Sequence, residues 1–158
     1  MSNSEVAAAE RSLAKGLIAG LIGGLAGTVA KTFAERMFPP RTHGEPEPSV
    51  VLAEQVAGHS LDSATKAIAS EGIHWGFGAA VGAAYGALAE YYPAATAKEG
   101  ASFGMALEAL THETALPALG LSADPQDQTA RERASEMTSH VVYGIATELV
   151  RGMVRKLL

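Results

Sequence analysis

Apolar positions in this chain come in long blocks, and polar residues gather between the blocks and at their ends. Blocks of this kind, with small residues recurring every four positions, predict helices rather than strands. The first block opens as GLIAGLIGGLAGTVA at Gly16 and continues through Lys31, Glu35 and Arg36. Pro39-Pro40 ends it, because proline has no N–H to donate and its ring clashes with the preceding turn. A helix over about 13–38 follows. Arg41 to Pro48 reads as a polar, proline-rich linker. Ser49 to Ser70 reads as one or two short amphipathic helices, with a break at Gly58-His59-Ser60. The whole connection covers 41–70.

Three more helices are predicted, over about 71–92, 98–119 and 125–157. Trp75 and Tyr91-Tyr92 stand at opposite ends of the second, where aromatic side chains anchor to a membrane interface. Pro93 closes that helix, and Pro117 lies near the exit of the third. The fourth has Asp124 as a candidate N-cap and Pro125 in its first turn. At 1.5 Å per residue it would reach roughly 50 Å, which exceeds the ~30 Å hydrocarbon core of a bilayer. Its opening turns, QDQTARERASE, would therefore stand in water.

Glycine spacing sets the packing mode. Gly16, Gly20 and Gly24 recur every four residues, as do Gly23 and Gly27, then Gly78, Gly82 and Gly86, then Gly100 and Gly104. Each glycine inside a water-exposed helix costs up to ~1 kcal/mol relative to alanine. In lipid the backbone has no better option than a helix, and small residues let helices approach closely. Gly20, Gly24, Gly27, Gly78, Gly82, Gly86 and Gly104 are the candidate packing positions. The fold predicted is all-α: a four-helix transmembrane bundle with a short amphipathic helix between helices 1 and 2. A soluble helical bundle with tight crossings is the alternative. A secretory signal would share the basic start and apolar run, but the glycine spacing favours a packing helix.

Composition narrows the functional classes. The 158 residues fit one domain, and the mean hydropathy of +0.11 is modest for a membrane protein. Net charge is −5, and no basic stripe with interleaved aromatics is present, which argues against nucleic acid. With no cysteine, disulfides, thiolate metal sites and a cysteine nucleophile drop out. No Gly-x-Ser-x-Gly elbow, phosphate loop or His-Glu-x-x-His pair occurs, so the balance leans away from an enzyme, with a metal-dependent activity left open. The partners predicted are the lipid bilayer and, through the glycine faces, a second copy of the chain. The basic C-terminal run tips orientation toward cytoplasmic termini.

Several ordered features resemble a known family. They are Lys31, Ala34-Glu35 and Pro39-Pro40-Arg41 in helix 1, and His74, Tyr85, Ala89-Glu90 and Pro93 in helix 2. His112, Pro117 and Gly120-Leu121 follow, then Ser135-Glu136, His140-Val141, Glu148 and Arg151. This set resembles the YagU-like small bacterial inner-membrane proteins. The connection between helices 1 and 2 lacks the aromatic insert of that family, and these helices are richer in Gly and Ala. The resemblance implies an inner-membrane location and a link to acid tolerance. It implies no reaction.

Counting along four antiparallel spans brings polar residues to one depth. Lys31 and Glu35 fall in the second half of helix 1, and His74 near the start of helix 2. His112 and Glu113 fall in the second half of helix 3, and Glu136 and His140 near the start of helix 4. Ionisable groups in a membrane face the bundle interior. Four readings stay open for this cluster: a structural network, a proton-titrating site, a metal site, and a substrate or lipid site. Histidine titrates near neutral pH and neighbouring carboxylates tune it. A divalent metal, zinc or iron, would draw on His74, His112 and His140 with Glu35, Glu113 or Glu136. Glu71-Gly-Ile-His74 has the Glu-x-x-His form of di-iron bundles, in a single copy. A second polar level is formed by Glu90, Glu148 and Arg151, and it reads as a salt bridge between helices 2 and 4.

Overall fold

The computed structural model describes residues 11–42 and 44–158. The polar stretch before Arg11 lies outside the described residues. Among these are five helices and no strand. Helix α1 (Leu13–Met37) is capped by the Ser12 hydroxyl, which accepts the Lys15 N–H. It ends before Pro39-Pro40, with the Phe38 N–H still bonded to the Ala34 carbonyl at 2.8 Å. Helix α2 (Pro48–Ala57) starts on a proline and stops at Gly58, whose φ of +72° suits glycine.

Helix α3 (Ser63–Tyr91) begins eight residues before the position predicted for helix 2. Asp62 is the reason: its carboxylate accepts the N–H groups of Ala64 and Thr65, both at 3.1 Å. The residues that follow, up to Gly72, contain no breaker. The segment predicted as a second amphipathic helix is thus the first turns of α3.

The predicted third helix is interrupted. Pro93–Gly100 forms an irregular turn with left-handed backbone at Lys98 and Glu99, φ +54° and +51°. Helix α4 (Ala101–Leu110) then runs into a π-helical turn at Thr111–Ala115 and a last α-helical turn at Leu116–Ala118. Pro117 accounts for the wide turn. It cannot bond to residue 113, and its ring crowds that carbonyl. The Leu116 N–H reaches back five residues to Thr111 instead. Thr111 and Thr114 donate their hydroxyls to the carbonyls of Leu107 (2.7 Å) and Leu110 (2.5 Å), satisfying acceptors around the turn.

Helix α5 (Ala130–Leu157) corrects the predicted start at Asp124-Pro125. Thr129 and Glu132 form a reciprocal capping box, and this fixes the N-terminus further along. Asp124 instead accepts the Asp127 N–H in a turn. The helix has 28 residues, about 42 Å.

Helix α1 lies between α3 and α5 and runs antiparallel to both: Gly16 meets Gly86 and Gly24 meets Gly78, while Gly23 and Gly27 meet Thr147 and Tyr143. Helix α4 runs antiparallel to α5, with Gly104 against His140 and Gly100 against Gly144. At the α1–α3 crossing, a Cβ on Gly82 would lie 2.5 Å from the Gly20 carbonyl oxygen. No side chain fits there. All seven candidate packing glycines sit at such close approaches, whereas Gly72 and Gly76 face open space.

Large aliphatic residues, which fill the core of water-soluble proteins, lie mostly at the surface here. Tyr85, Tyr143 and Leu121 are buried, and Thr28, Thr147, Ser135 and Ser139 are fully so. Leu17, Ile18, Leu21, Ile22, Val29 and Phe33 of α1 are exposed, Phe33 by 65%. Exposed aliphatic residues also line α4 and α5, among them Met105, Leu110, Leu149 and Met153. Among the described residues one helix, Leu13–Met37, is long and apolar enough to cross a membrane. Charged residues interrupt α3 and α5, and α4 has only 10 residues before its π-turn.

Candidate functional site

The end of the bundle where α1 and α4 finish and α3 and α5 start gathers most of the ionisable side chains. Glu136, on the second turn of α5 and 4% exposed, is their common partner. Arg41, just past Pro39-Pro40, donates to Glu136 Oε1 at 2.9 Å. Lys31 Nζ lies 3.8 Å from Oε2 and forms a closer ion pair with Glu35, one turn on along α1. His112 Nδ1 is 3.6 Å from Oε1, and His140 Nδ1 is 3.8 Å from Oε2. The two imidazole rings meet edge to face at 4.8 Å.

The backbone explains why these groups converge. Glu136 and His140 are four residues apart, on one face of α5. The π-turn holds His112 at this level from α4. Ser139 donates to the Glu136 carbonyl at 2.9 Å and lies 3.5 Å from Glu35. His140 Nδ1 is 2.8 Å from the same carbonyl. A carbonyl can only accept, so Nδ1 carries the proton and Nε2 is left as an acceptor.

Two cations, Lys31 and Arg41, face two carboxylates, Glu35 and Glu136, so these four groups are charge-balanced with both histidines neutral and Glu108 protonated. Glu108, 2% exposed on α4, adds a further buried carboxyl. Its Oε2, like Oε2 of Glu136, has no hydrogen-bond partner among the described residues. A cavity of about 60 Å³ reaches the cluster from outside; its lining runs from the exposed Glu45, Pro46, Ala123 and Asp127 to the less exposed Arg41, His112 and Glu136.

Lys31, Glu35, His112, Glu136 and His140 are thus brought together. His74 stands to one side, its Nε2 3.4 Å from the Thr32 hydroxyl of α1. Glu113 points away and is exposed. Of the predicted metal ligands, His112, His140 and the carboxylate option Glu136 form a group that could hold a metal ion, with ligand atoms within 4.8 Å of one another, and His74 and Glu35 are not part of it. Glu71 is not a partner of His74; its carboxylate accepts the Trp75 indole N–H at 2.9 Å.

Arg41 and Glu108 were not assigned to the cluster from sequence. Arg41 sits beyond a double proline, in what reads as linker. The four-residue spacing of Glu108 and His112 puts the two on one helix face, but nothing in the sequence separates a buried carboxylate from an exposed one.

The second polar level closes the opposite end of the bundle. Glu148 accepts from the Tyr85 hydroxyl at 2.8 Å and from Arg151 at 2.6 and 2.7 Å. Glu90 pairs with Arg155 rather than Arg151, and accepts the Ser12 N–H at 3.1 Å. Tyr85 stacks on Phe103 of α4 at 4.0 Å. The predicted bridge between helices 2 and 4 is therefore made by Glu90–Arg155 and Tyr85–Glu148, while Glu148–Arg151 lies within α5.

No curated protein and no solved structure matches this chain. A family model described as a protein of unknown function, DUF1440, matches residues 25–149, a span that holds the whole buried cluster, and the chain belongs to that family.

Proposed function

We propose that this chain is a small bacterial inner-membrane protein whose buried cluster accepts and releases a proton, with an imidazole as the titrating group and Glu136 as its counter-charge. The observation that carries this reading is Glu136 itself: a buried carboxylate touched by Lys31, Arg41, His112 and His140. With charges balanced while both histidines are neutral, one added proton changes the net charge of a buried site by one unit. That is the requirement of a pH-responsive element.

The distribution of volume supports the membrane placement. Small residues pack inside and Leu, Ile, Val and Phe face outward, as suits a lipid solvent. All four long segments would span, with α2 on the surface. The resemblance to YagU-like proteins supports the inner membrane and gives the proton reading a context in acid tolerance.

The test is a histidine titration. Protein with ¹⁵N-labelled imidazoles, in lipid nanodiscs, should show a protonation step at His112 or His140 between pH 8 and 4 that Glu136→Gln displaces. Imidazole shifts that stay flat across this range would remove the proton reading.

A metal ion is the second reading, favoured by the proximity of His112, Glu136 and His140. Two histidines and a carboxylate suit zinc by ligand type. Lys31 and Arg41 oppose it, since a divalent ion would enter against two positive charges within 4 Å of its carboxylate ligand. Elemental analysis of protein purified without chelator decides between the two: stoichiometric zinc or iron would favour the metal.

A further inference from the structure

We infer that the buried cluster opens to water on one side only, making the bundle a closed-bottomed cup for protons rather than a conduit across the membrane. The inference deepens the proton reading and rests on it for the identity of the occupant. The geometry of the cup itself stands independently.

The mouth is built from the α1–α2 connection and the segment before α5. Arg41 lines it and reaches Glu136, and the exposed Glu45, Pro46, Ala123 and Asp127 form the rim, with Ser122 beside them. A cavity of about 60 Å³ has room for a few water molecules. Its lining supplies polar groups to hold them: Arg41, His112 and Glu136, whose Oε1 lies between the two.

Beyond His140 the path ends. Tyr143, 2% exposed, donates its hydroxyl to the Gly78 carbonyl at 2.6 Å and spans from α5 to α3. Thr28 of α1 and Thr147 of α5 are fully buried in the same layer, and Ala19 lies beyond them at 0% exposure. The glycine contacts leave no room between backbones here. From His140 to Glu148 is eight residues, about 12 Å of helix. The next ionisable groups, Glu148 with Arg151 and Glu90 with Arg155, are engaged in their own ion pairs. The cluster thus meets a close-packed layer beyond His140 on one side, and on the other a water-sized opening lined by His112 and Glu136.

The chain has no cysteine, so single-cysteine variants report without background. Four would be reconstituted, uniformly oriented, in sealed vesicles in chloride-free buffer: Ser122→Cys at the mouth, Ser139→Cys in the cluster, Thr147→Cys in the closed layer and Lys156→Cys at the opposite end. Silver ion, comparable in size to water, is added to one face, and unreacted thiols are counted with a maleimide after denaturation. The expected result is that Ser139→Cys reacts from the face that reaches Ser122→Cys, at least tenfold faster than from the other face. Thr147→Cys should react from neither. Thr28→Cys serves as a second probe of the closed layer if Thr147→Cys fails to fold. Reaction of Ser139→Cys from the Lys156 face, its failure to react at all, or rapid reaction of the closed-layer thiol would overturn the inference. So would equal reaction of Ser122→Cys and Lys156→Cys from one face, since the chain would not then span. The expected labelling combined with a flat histidine titration would leave the cup standing and remove the proton as its occupant.

Discussion

Gly20 of α1 and Gly82 of α3 meet backbone to backbone: a Cβ on Gly20 would fall 2.7 Å from the Gly86 Cα, and one on Gly82 would fall 2.7 Å from the Gly24 nitrogen. Nothing flexible lines this contact, so an added methyl group must push the helices apart. Gly82→Ala should cost about 1–3 kcal/mol, the usual range for overpacking, and Gly20→Leu should cost more. Gly76→Ala, where a Cβ meets open space, should be neutral or stabilise by up to ~1 kcal/mol. Thermal unfolding in a mild detergent checks the contrast. A loss at Gly76 as large as that at Gly82 would contradict the packing. These faces are occupied within one chain, so substitutions there test the fold and not association between copies.

Glu136 neutralises two cations at once. Glu136→Gln leaves Lys31 and Arg41 against a single remaining carboxylate, Glu35. Breaking a buried pair from one side typically costs about 3–5 kcal/mol. Lys31→Met combined with Glu136→Gln removes one charge of each sign and should cost less than the sum of the two single changes. A double-mutant cycle on unfolding free energies reads that coupling. Strict additivity would mean that Lys31 and Glu136 do not interact.

The hydroxyl of Tyr85 is the link between α3 and the Glu148–Arg151 pair on α5. Tyr85→Phe keeps the stacking on Phe103 and removes only that bond. Hydrogen bonds to charged groups contribute about 1.5–3 kcal/mol, and a loss in that range is expected. Phe103→Leu, which leaves the bond and removes the stacking, should cost independently. Melting of the two variants and their combination separates the contributions.

Glu132, in the capping turn of α5 and outside the stretch read as spanning, has its carboxyl held below the ordinary value of 4.5, first by the Thr42 hydroxyl and then by Thr129. A depressed carboxylate stabilises the fold above its unfolded value. That contribution is fully present above about pH 5 and is lost as the pH falls from 4.5 through the lower folded value. Thr42→Val should therefore raise the Glu132 pKa and move acid unfolding to higher pH. Glu132→Gln should be less stable than the parent at pH 7, with the gap closing toward pH 3. Carbon-detected carboxyl titration and melting as a function of pH check both. A gap that stayed constant down to pH 3 would assign the loss to something other than this charge.

Helices and their packing faces were legible in the sequence because glycine spacing, proline stops and apolar length are local signals. The convergence of Lys31, Glu35, His112, Glu136 and His140 was legible too, since antiparallel counting needs only helix lengths and connections. Three things were not. The start of α5 depends on whether Thr129 with Glu132 or Asp124 with Pro125 caps the helix, and both are acceptable in isolation. Arg41 reaches Glu136 only because the chain folds back beyond the double proline. Glu113 lies at the right depth but on the wrong side of its helix, and His74 faces α1 at Thr32, short of direct contact with Glu136; depth was all that counting could supply.

The wide turn at Thr111–Ala115 places one more residue in a turn than an α-helix would hold. Relative to a regular helix of the same sequence, every residue beyond it is set back by one position, a phase step of about 100°. Removal of a single residue within 111–115 would absorb the wide turn into a regular helix and leave the following residues facing as they do. A chain lengthened by one residue here would keep its helix, its length to within ~1.5 Å and nearly its composition, and still turn the Leu116–Leu121 segment off its seat. For this stretch of α4, residue count carries more structural information than residue identity.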